Sequence, residues 1–299
     1  MPVEISMICF VIGNGLLTLG AFFIWQWVNH RQIIWSVLAT ILPVVGVVAV
    51  TCLLGQVELV GGIVWGTVAF NLGLMGGLGL CFNVRLERTK SLMVGLWLSF
   101  GWLACLLVQR SGVMGRFGGL SLLIIGLIAT WQIGRQENRQ FENVSENQRN
   151  GFGWRPWIWI WLVAIGLIGV GAWLLIWRYA VVLAVCGMPV SLGGTLVLAP
   201  ICSCTALLGV RCRGRWQPEK VLCGLSWCNA ILVTVGLGAV ALTTGSVHLT
   251  QSTGAVTLPW VACLVVLSVA MTYLPEKTAR WWGGLMVVTY VGLLLSWLL

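Results

Sequence analysis

Residues 189–236 read PVSLGGTLVLAPICSCTALLGVRCRGRWQPEKVLCGLSWCNAILVTVG. An apolar segment with Pro200 near its middle runs into a short basic turn. A second apolar segment follows, with Asn229 near its middle. The same plan occurs once more, between Ile33 and Gly77. There Pro43 sits in the first segment, Gly55 lies at the turn, and Gly66 and Asn71 sit in the second segment. Proline and asparagine are 28 residues apart in the first copy and 29 in the second. Glycine precedes asparagine by five residues in both, as Gly66 to Asn71 and as Gly224 to Asn229.

Composition sets the solvent in which this repeat works. Of the 299 residues, 59% are apolar and only 8% charged, against roughly 25% charged in soluble domains. Several windows of about 20 residues carry no charge, the mark of a transmembrane helix. The chain is therefore predicted to be an all-α polytopic membrane protein. Ten spans fit, at 5–28, 32–54, 58–82, 91–109, 117–135, 156–177, 180–209, 219–243, 256–273 and 281–299. The seventh is long, and Pro189, Gly193, Gly194 and Pro200 predict a broken helix there. The first is too long for a signal peptide and lacks a basic leader, so it reads as a retained helix.

The one sizeable polar segment divides the chain into two groups of five spans. The domain reading is residues 1–135 as a first repeat, 136–155 as a polar loop, and 156–299 as a second repeat. Five is odd, so two homologous halves enter the membrane in opposite senses and form an inverted repeat. Each half closes alike, with Arg116-Phe117-Gly118-Gly119-Leu120 and Arg280-Trp281-Trp282-Gly283-Gly284-Leu285 opening its last helix. Of the 17 Lys and Arg residues, only Arg110, Arg116 and Arg178 fall in loops after even-numbered spans. The positive-inside rule then predicts a multi-pass protein of the cell membrane with both termini outside and the 136–155 loop in the cytoplasm. The net charge of +9 is this orientation signal, and no nucleic-acid partner is expected. The bilayer is the one partner composition implies.

Counting from each turn at 1.5 Å per residue puts Pro43, Asn71, Pro200 and Asn229 roughly 20 Å deep, near the bilayer middle. Inverted-repeat transporters bind substrate there. The candidate pathway residues are Thr40, Pro43, Thr67, Asn71, Pro200, Ser203, Ser226 and Asn229. An asparagine at that depth requires a hydrogen-bond partner, which is either a transported species or a neighbouring helix. The hydroxyl groups admit the same two readings. The prolines kink their helices and free carbonyl groups.

These residues also carry a family resemblance. Glu58-Leu59-Val60-Gly61-Gly62-Ile63-Val64-Trp65-Gly66-Thr67-Val68-Ala69-Phe70-Asn71 resembles, without a gap, the Asp-Leu-Ala-Leu-Gly-Asn-Val-Val-Gly-Ser-Asn-Ile-Phe-Asn pattern of the cation/calcium exchanger superfamily, which includes bacterial sodium/calcium exchangers. Gly224-Leu225-Ser226-Trp227-Cys228-Asn229 is similar to the same motif in the second half. Ala39-Thr40-Ile41-Leu42-Pro43-Val44 and Leu196-Val197-Leu198-Ala199-Pro200-Ile201 sit on the preceding Gly-Thr-Ser-x-Pro-Glu motif. The resemblance implies the exchanger fold and a secondary transporter moving a cation or small solute between the repeats.

Its departures imply a different chemistry. The family's ion-binding glutamates fall on Val44 and Ile201, and two of its asparagines fall on Ile63 and Val68. The chain has no Asp, and its eight Glu residues all lie at span ends or in loops. Calcium takes six to eight oxygens, usually with several carboxylates. Ordinary calcium/sodium exchange is therefore not expected. Two alternatives stay open: a non-transporting scaffold or regulator built on that fold, or a drug/metabolite-type exporter, which also has ten spans in inverted halves.

Other features read as structural. The 11 cysteines include Cys202, Cys204, Cys223 and Cys228 near the candidate site, where thiols act as small apolar side chains. Asn14 is expected to hydrogen-bond within the bundle. The 19 tryptophans are expected mainly in the interfacial belts. No cofactor motif and no nucleophile–base pair at membrane depth is present, so an enzyme is not expected.

Overall fold

A computed structural model describes residues 3–28, 33–81, 113–141, 155–188, 190–204, 225, 227–248, 251–270 and 278–298. The described elements are helical apart from two three-residue strands. The helices follow the predicted spans closely. Val3–Val28, Ile33–Leu53, Arg116–Phe141, Arg155–Trp177, Gln251–Ala270 and Ala279–Leu298 are continuous. The third span is Val57–Ala69, a π-helical stretch Phe70–Gly76, and Gly77–Cys81. The fourth predicted span, 91–109, lies outside the described residues. The helix that opens at Arg116 continues past residue 135 to Phe141. Among the described residues, four helical stretches are each long and apolar enough to cross a membrane: Val3–Ile24, Leu59–Cys81, Trp159–Trp177 and Trp227–Thr244.

Broken helices occur where glycine and proline predicted them. The seventh span is a short helix, Tyr179–Val185, a turn at 186–188, and a second piece starting at Val190. Gly187 makes that turn at φ +66°, a left-handed conformation that glycine adopts without a Cβ clash. The second piece contains its own π-helical stretch, Gly194–Leu198, just before Pro200. Pro43 sits within the Ile33–Leu53 helix, where it withholds a backbone donor from the turn before it.

Burial separates a core from a lipid-facing shell. In the apolar window of Leu59–Cys81, 83% of residues are buried, and in Trp227–Thr244 61%. For Val3–Ile24 and Trp159–Trp177 the values are 28% and 33%. A helix apolar all round belongs in the interior or against lipid, and packing assigns the third and eighth spans to the interior. Tryptophan follows the same division. Trp159 and Trp281 are 70% and 83% exposed, whereas Trp65 and Trp227, in mid-span, are in the core.

The inverted repeat is visible in backbone contacts. A Cβ on Gly77, in the third span, would lie 2.8 Å from the carbonyl oxygen of Gly283, in the tenth. A Cβ on Gly238, in the eighth span, would lie 2.7 Å from that of Gly119, in the fifth. Third maps to eighth and fifth to tenth under the repeat, so each crossing is the image of the other. Gly13 and Gly171 make a third crossing, between the first and sixth spans, which are images of each other. Without a hydrophobic drive between helices in lipid, such small residues let backbones approach and gain van der Waals contact.

The strands are the feature an all-α reading lacks. Val113–Gly115 pairs antiparallel with Ser246–His248, joining Val113 to His248, Met114 to Val247 and Gly115 to Ser246. Gly245, at φ +84°, ends the eighth span and turns the chain into the second strand. The loops after the fourth and eighth spans thus meet on one face, as alternate membrane crossings require. Met114 and Val247 are fully buried. Two three-residue runs carry no period-2 signal long enough to be read in sequence.

Candidate functional site

The two repeated asparagines meet. Asn71 Nδ2 donates to Asn229 Oδ1 at 2.8 Å, across 158 residues of sequence. Gly13 and Gly171 are also 158 residues apart and also touch. Both pairs therefore join a residue to its own repeat image, and both lie on the pseudo-twofold axis. Asn71 is 3% exposed and Asn229 is fully buried. Interhelical hydrogen bonding, one of the two expected fates of these residues, is realised by each serving the other.

The local backbone is also duplicated. Asn71 lies in the π-helical stretch Phe70–Gly76, and Asn229 lies just before its counterpart, Leu232–Gly236. Each wide turn exchanges i→i−4 bonding for i→i−5 bonding, and such bulges recur at functional sites. No residue pattern announces them.

Thr67 is four residues before Asn71, on the same helix face. It is fully buried, and its Oγ1 has no hydrogen-bond partner among the described residues. The seventh span runs parallel to the third. Gly194 meets Leu59 to Ile63, and Gly66 meets Thr195 and Ala199. Ser203 follows one turn beyond Ala199 on the seventh span. Ser203 is 2% exposed, and its Oγ also has no partner among the described residues. The same holds for Asn71 Oδ1 and Asn229 Nδ2. Thr51 and Thr234, also buried, turn back on their own helix, donating to Val47 O and Ala230 O, both at 2.7 Å.

The remaining predicted residues fall around this group. Thr40 is buried in the second span and Pro43 is buried one turn further on. Pro200 is half-buried, and Ser226 lies outside the described residues. Thr195 is a polar residue the spacing argument passed over. It is buried, and its Oγ1 donates to Gly62 O at 3.3 Å, tying the seventh span to the third. A hydroxyl following Gly193-Gly194 five residues before Pro200 was the available signal. Asn14 departs from expectation: it is half-buried, and its Oδ1 has no partner among the described residues.

Electrostatically the group is neutral. The buried polar side chains among the described residues are Ser, Thr and Asn, joined by aromatic polar groups such as the Tyr179 hydroxyl and the Trp65 indole N–H, and none is charged. Val44 is 1% exposed and packs in the main apolar cluster, as do Ile63 and Val68, while Ile201 is half-buried. No cluster of three or more His, Cys, Asp or Glu able to hold a metal ion occurs among the described residues. Cys202 and Cys228 are buried free thiols beside Ser203 and Asn229.

Comparison with solved structures gives the class of fold. The sodium-calcium exchanger NCX_Mj superposes with a TM-score of 0.68 at 15% identity, over 99% of each chain. YfkE gives 0.69 at 10% identity, over 99% of this chain and 91% of its own. The H+/Ca2+ exchanger CAX gives 0.64 at 14% identity, over 97% and 88%. The protein thus has the cation/calcium exchanger fold along essentially its whole length, an integral membrane architecture of inverted helical repeats. No family model matches the sequence, and no curated protein matches it.

Proposed function

We propose that the protein is a secondary transporter that moves a cation or small solute through a midplane site between its two repeats. The observation that carries this is the Asn71–Asn229 hydrogen bond between the repeats, with the buried hydroxyls of Thr67, on the third span, and Ser203, on the seventh, both without a partner among the described residues. Inverted-repeat transporters use that location because both halves can rock around it. With Val44 and Ile201 at the aligned acid positions, the site offers no formal charge against a divalent ion, so ordinary calcium/sodium exchange is not its activity.

The decisive experiment is a flux screen of the purified protein in liposomes, with calcium, sodium, potassium, protons and neutral solutes tested separately. Flux of at least one solute is expected, and Asn229→Ala is expected to reduce it several-fold. Unchanged flux in that variant would take Asn229 out of the pathway.

The apolar side chains at the aligned acid positions, Val44 buried and Ile201 half-buried, favour a second reading, a non-transporting scaffold or regulator of the same fold. Co-purification with a stable partner and no flux of any solute would select it. The exchanger fold found here argues against the drug/metabolite-exporter alternative.

We further propose that both termini face outward and the polar loop faces the cytoplasm, on the strength of the Lys and Arg distribution. A reporter fused after Leu299 should be active only in its extracytoplasmic form. Cytoplasmic activity would reverse the orientation.

A further inference from the structure

The paired amides constrain what the site can hold, provided that this cluster is the transport site. A carboxamide offers one carbonyl acceptor and one NH2 donor group. Here one amide's NH2 is bound to the other's oxygen. That leaves Asn71 Oδ1 as an acceptor and Asn229 Nδ2 as a donor, neither with a partner among the described residues. Turning both amides over changes which residue supplies which group and nothing else. Any arrangement that keeps the mutual bond leaves one carbonyl and one NH2 wholly free, together with the second lone pair and the second N–H of the bonded groups.

A bare cation suits this pair poorly. It requires oxygens, and the unpartnered NH2 is a donor that repels it. Asn229 Oδ1 keeps a second lone pair while it accepts from Asn71, so two amide oxygens remain available, but the unpartnered Asn229 NH2 group comes with them. Burial adds a second constraint, since every buried polar side chain among the described residues is neutral. An ion here would keep its full charge in a low-dielectric interior with no counter-charge. Thr67 and Ser203 do not alter the balance, because a hydroxyl both donates and accepts. Four groups of mixed polarity, each without a partner among the described residues, match a molecule that itself donates and accepts.

We propose that the site recognises a small neutral solute bearing adjacent hydrogen-bond donors and acceptors, a hydroxyl or amide compound, in place of the inorganic cations carried by exchangers of this fold. Asn71 and Asn229 grip the solute through one acceptor and one donor, and Thr67 and Ser203 complete its hydrogen bonding. Its passage is electroneutral and needs no coupling ion.

The test uses the full chain in liposomes with two probes, glycerol for hydroxyls and urea for amides, followed by osmotic swelling in a stopped-flow instrument. Parallel arms measure uptake of radioactive sodium and calcium. Faster swelling than protein-free liposomes is expected for at least one probe, independent of membrane potential and of any sodium gradient. Thr67→Val keeps side-chain shape and removes one hydroxyl, and should slow the protein-dependent rate by roughly five- to tenfold. Ser203→Ala supplies an independent variant should Thr67→Val fail to fold. Ion uptake without solute permeation would overturn the neutral-solute assignment while leaving the transport site standing. Protein-dependent swelling unaffected by either variant in folded protein would overturn the assignment of these side chains. Absence of both kinds of flux in correctly folded protein would overturn the transport reading and this assignment together.

Discussion

Gly66→Ala should lower the melting temperature of the purified protein markedly. A Cβ at this position would lie 2.6 Å from Thr195 Cα, 2.8 Å from Thr195 O and 2.9 Å from Ala199 Cβ. Two of these three atoms are backbone, so a rotamer change cannot relieve the clash. The third and seventh spans would have to separate, stretching the Thr195–Gly62 bond, already 3.3 Å long. Overpacking of a tight interior destabilises by about 1–3 kcal/mol. Gly15→Ala is the matched control. A methyl group added at Gly15 would meet nothing within 4 Å, and alanine is the better helix former. Thermal unfolding monitored by size-exclusion chromatography compares the two. Equal melting temperatures for Gly66→Ala and Gly15→Ala would show that the two spans do not pack this closely.

Asn71 and Asn229 should behave as one unit. Asn229→Leu removes the acceptor and leaves the whole Asn71 amide buried without its partner, which is expected to cost about 1–3 kcal/mol. Asn71→Leu does the reverse to Asn229. The double variant replaces both amides with apolar groups, so no polar atom of the pair is stranded. Its loss of stability should be smaller than the sum of the single losses, by a coupling of about 0.6–1.7 kcal/mol on the range for buried bonds in membrane bundles. All three variants should have flux reduced several-fold or more, because each removes the free donor or acceptor at the site. Strictly additive stability losses would mean that the amides do not bond to each other. Stability and transport thus separate here: the double substitution partly restores the first and restores none of the second.

Much of this arrangement was readable from spacing. The recurrence of Pro43, Gly66 and Asn71 as Pro200, Gly224 and Asn229 predicts two hairpins of opposite sense, each reaching the midplane. A turn of helix has a fixed rise, so equal separations in sequence become equal depths. The Gly-Gly-Leu endings of the halves are equally legible, and Gly119 and Gly283 prove to be the residues that admit Gly238 and Gly77. Thr195 was less visible, because a single hydroxyl in an apolar span is as often a self-bonded helix residue as a tie between helices.

Chain order alone determined the membrane class, the approximate spans, the inverted repeat and the want of any Asp. Each is a property of composition or of separation along one helix, which a linear string records. Tertiary structure alone decided that Asn71 and Asn229 are partners, that Trp65 and Trp227 are core residues, and that the 113–115 and 246–248 segments pair. These depend on which helix faces which, and in a nearly uniform apolar sequence that is set by close packing at a few glycines, not by any contrast between apolar and polar faces.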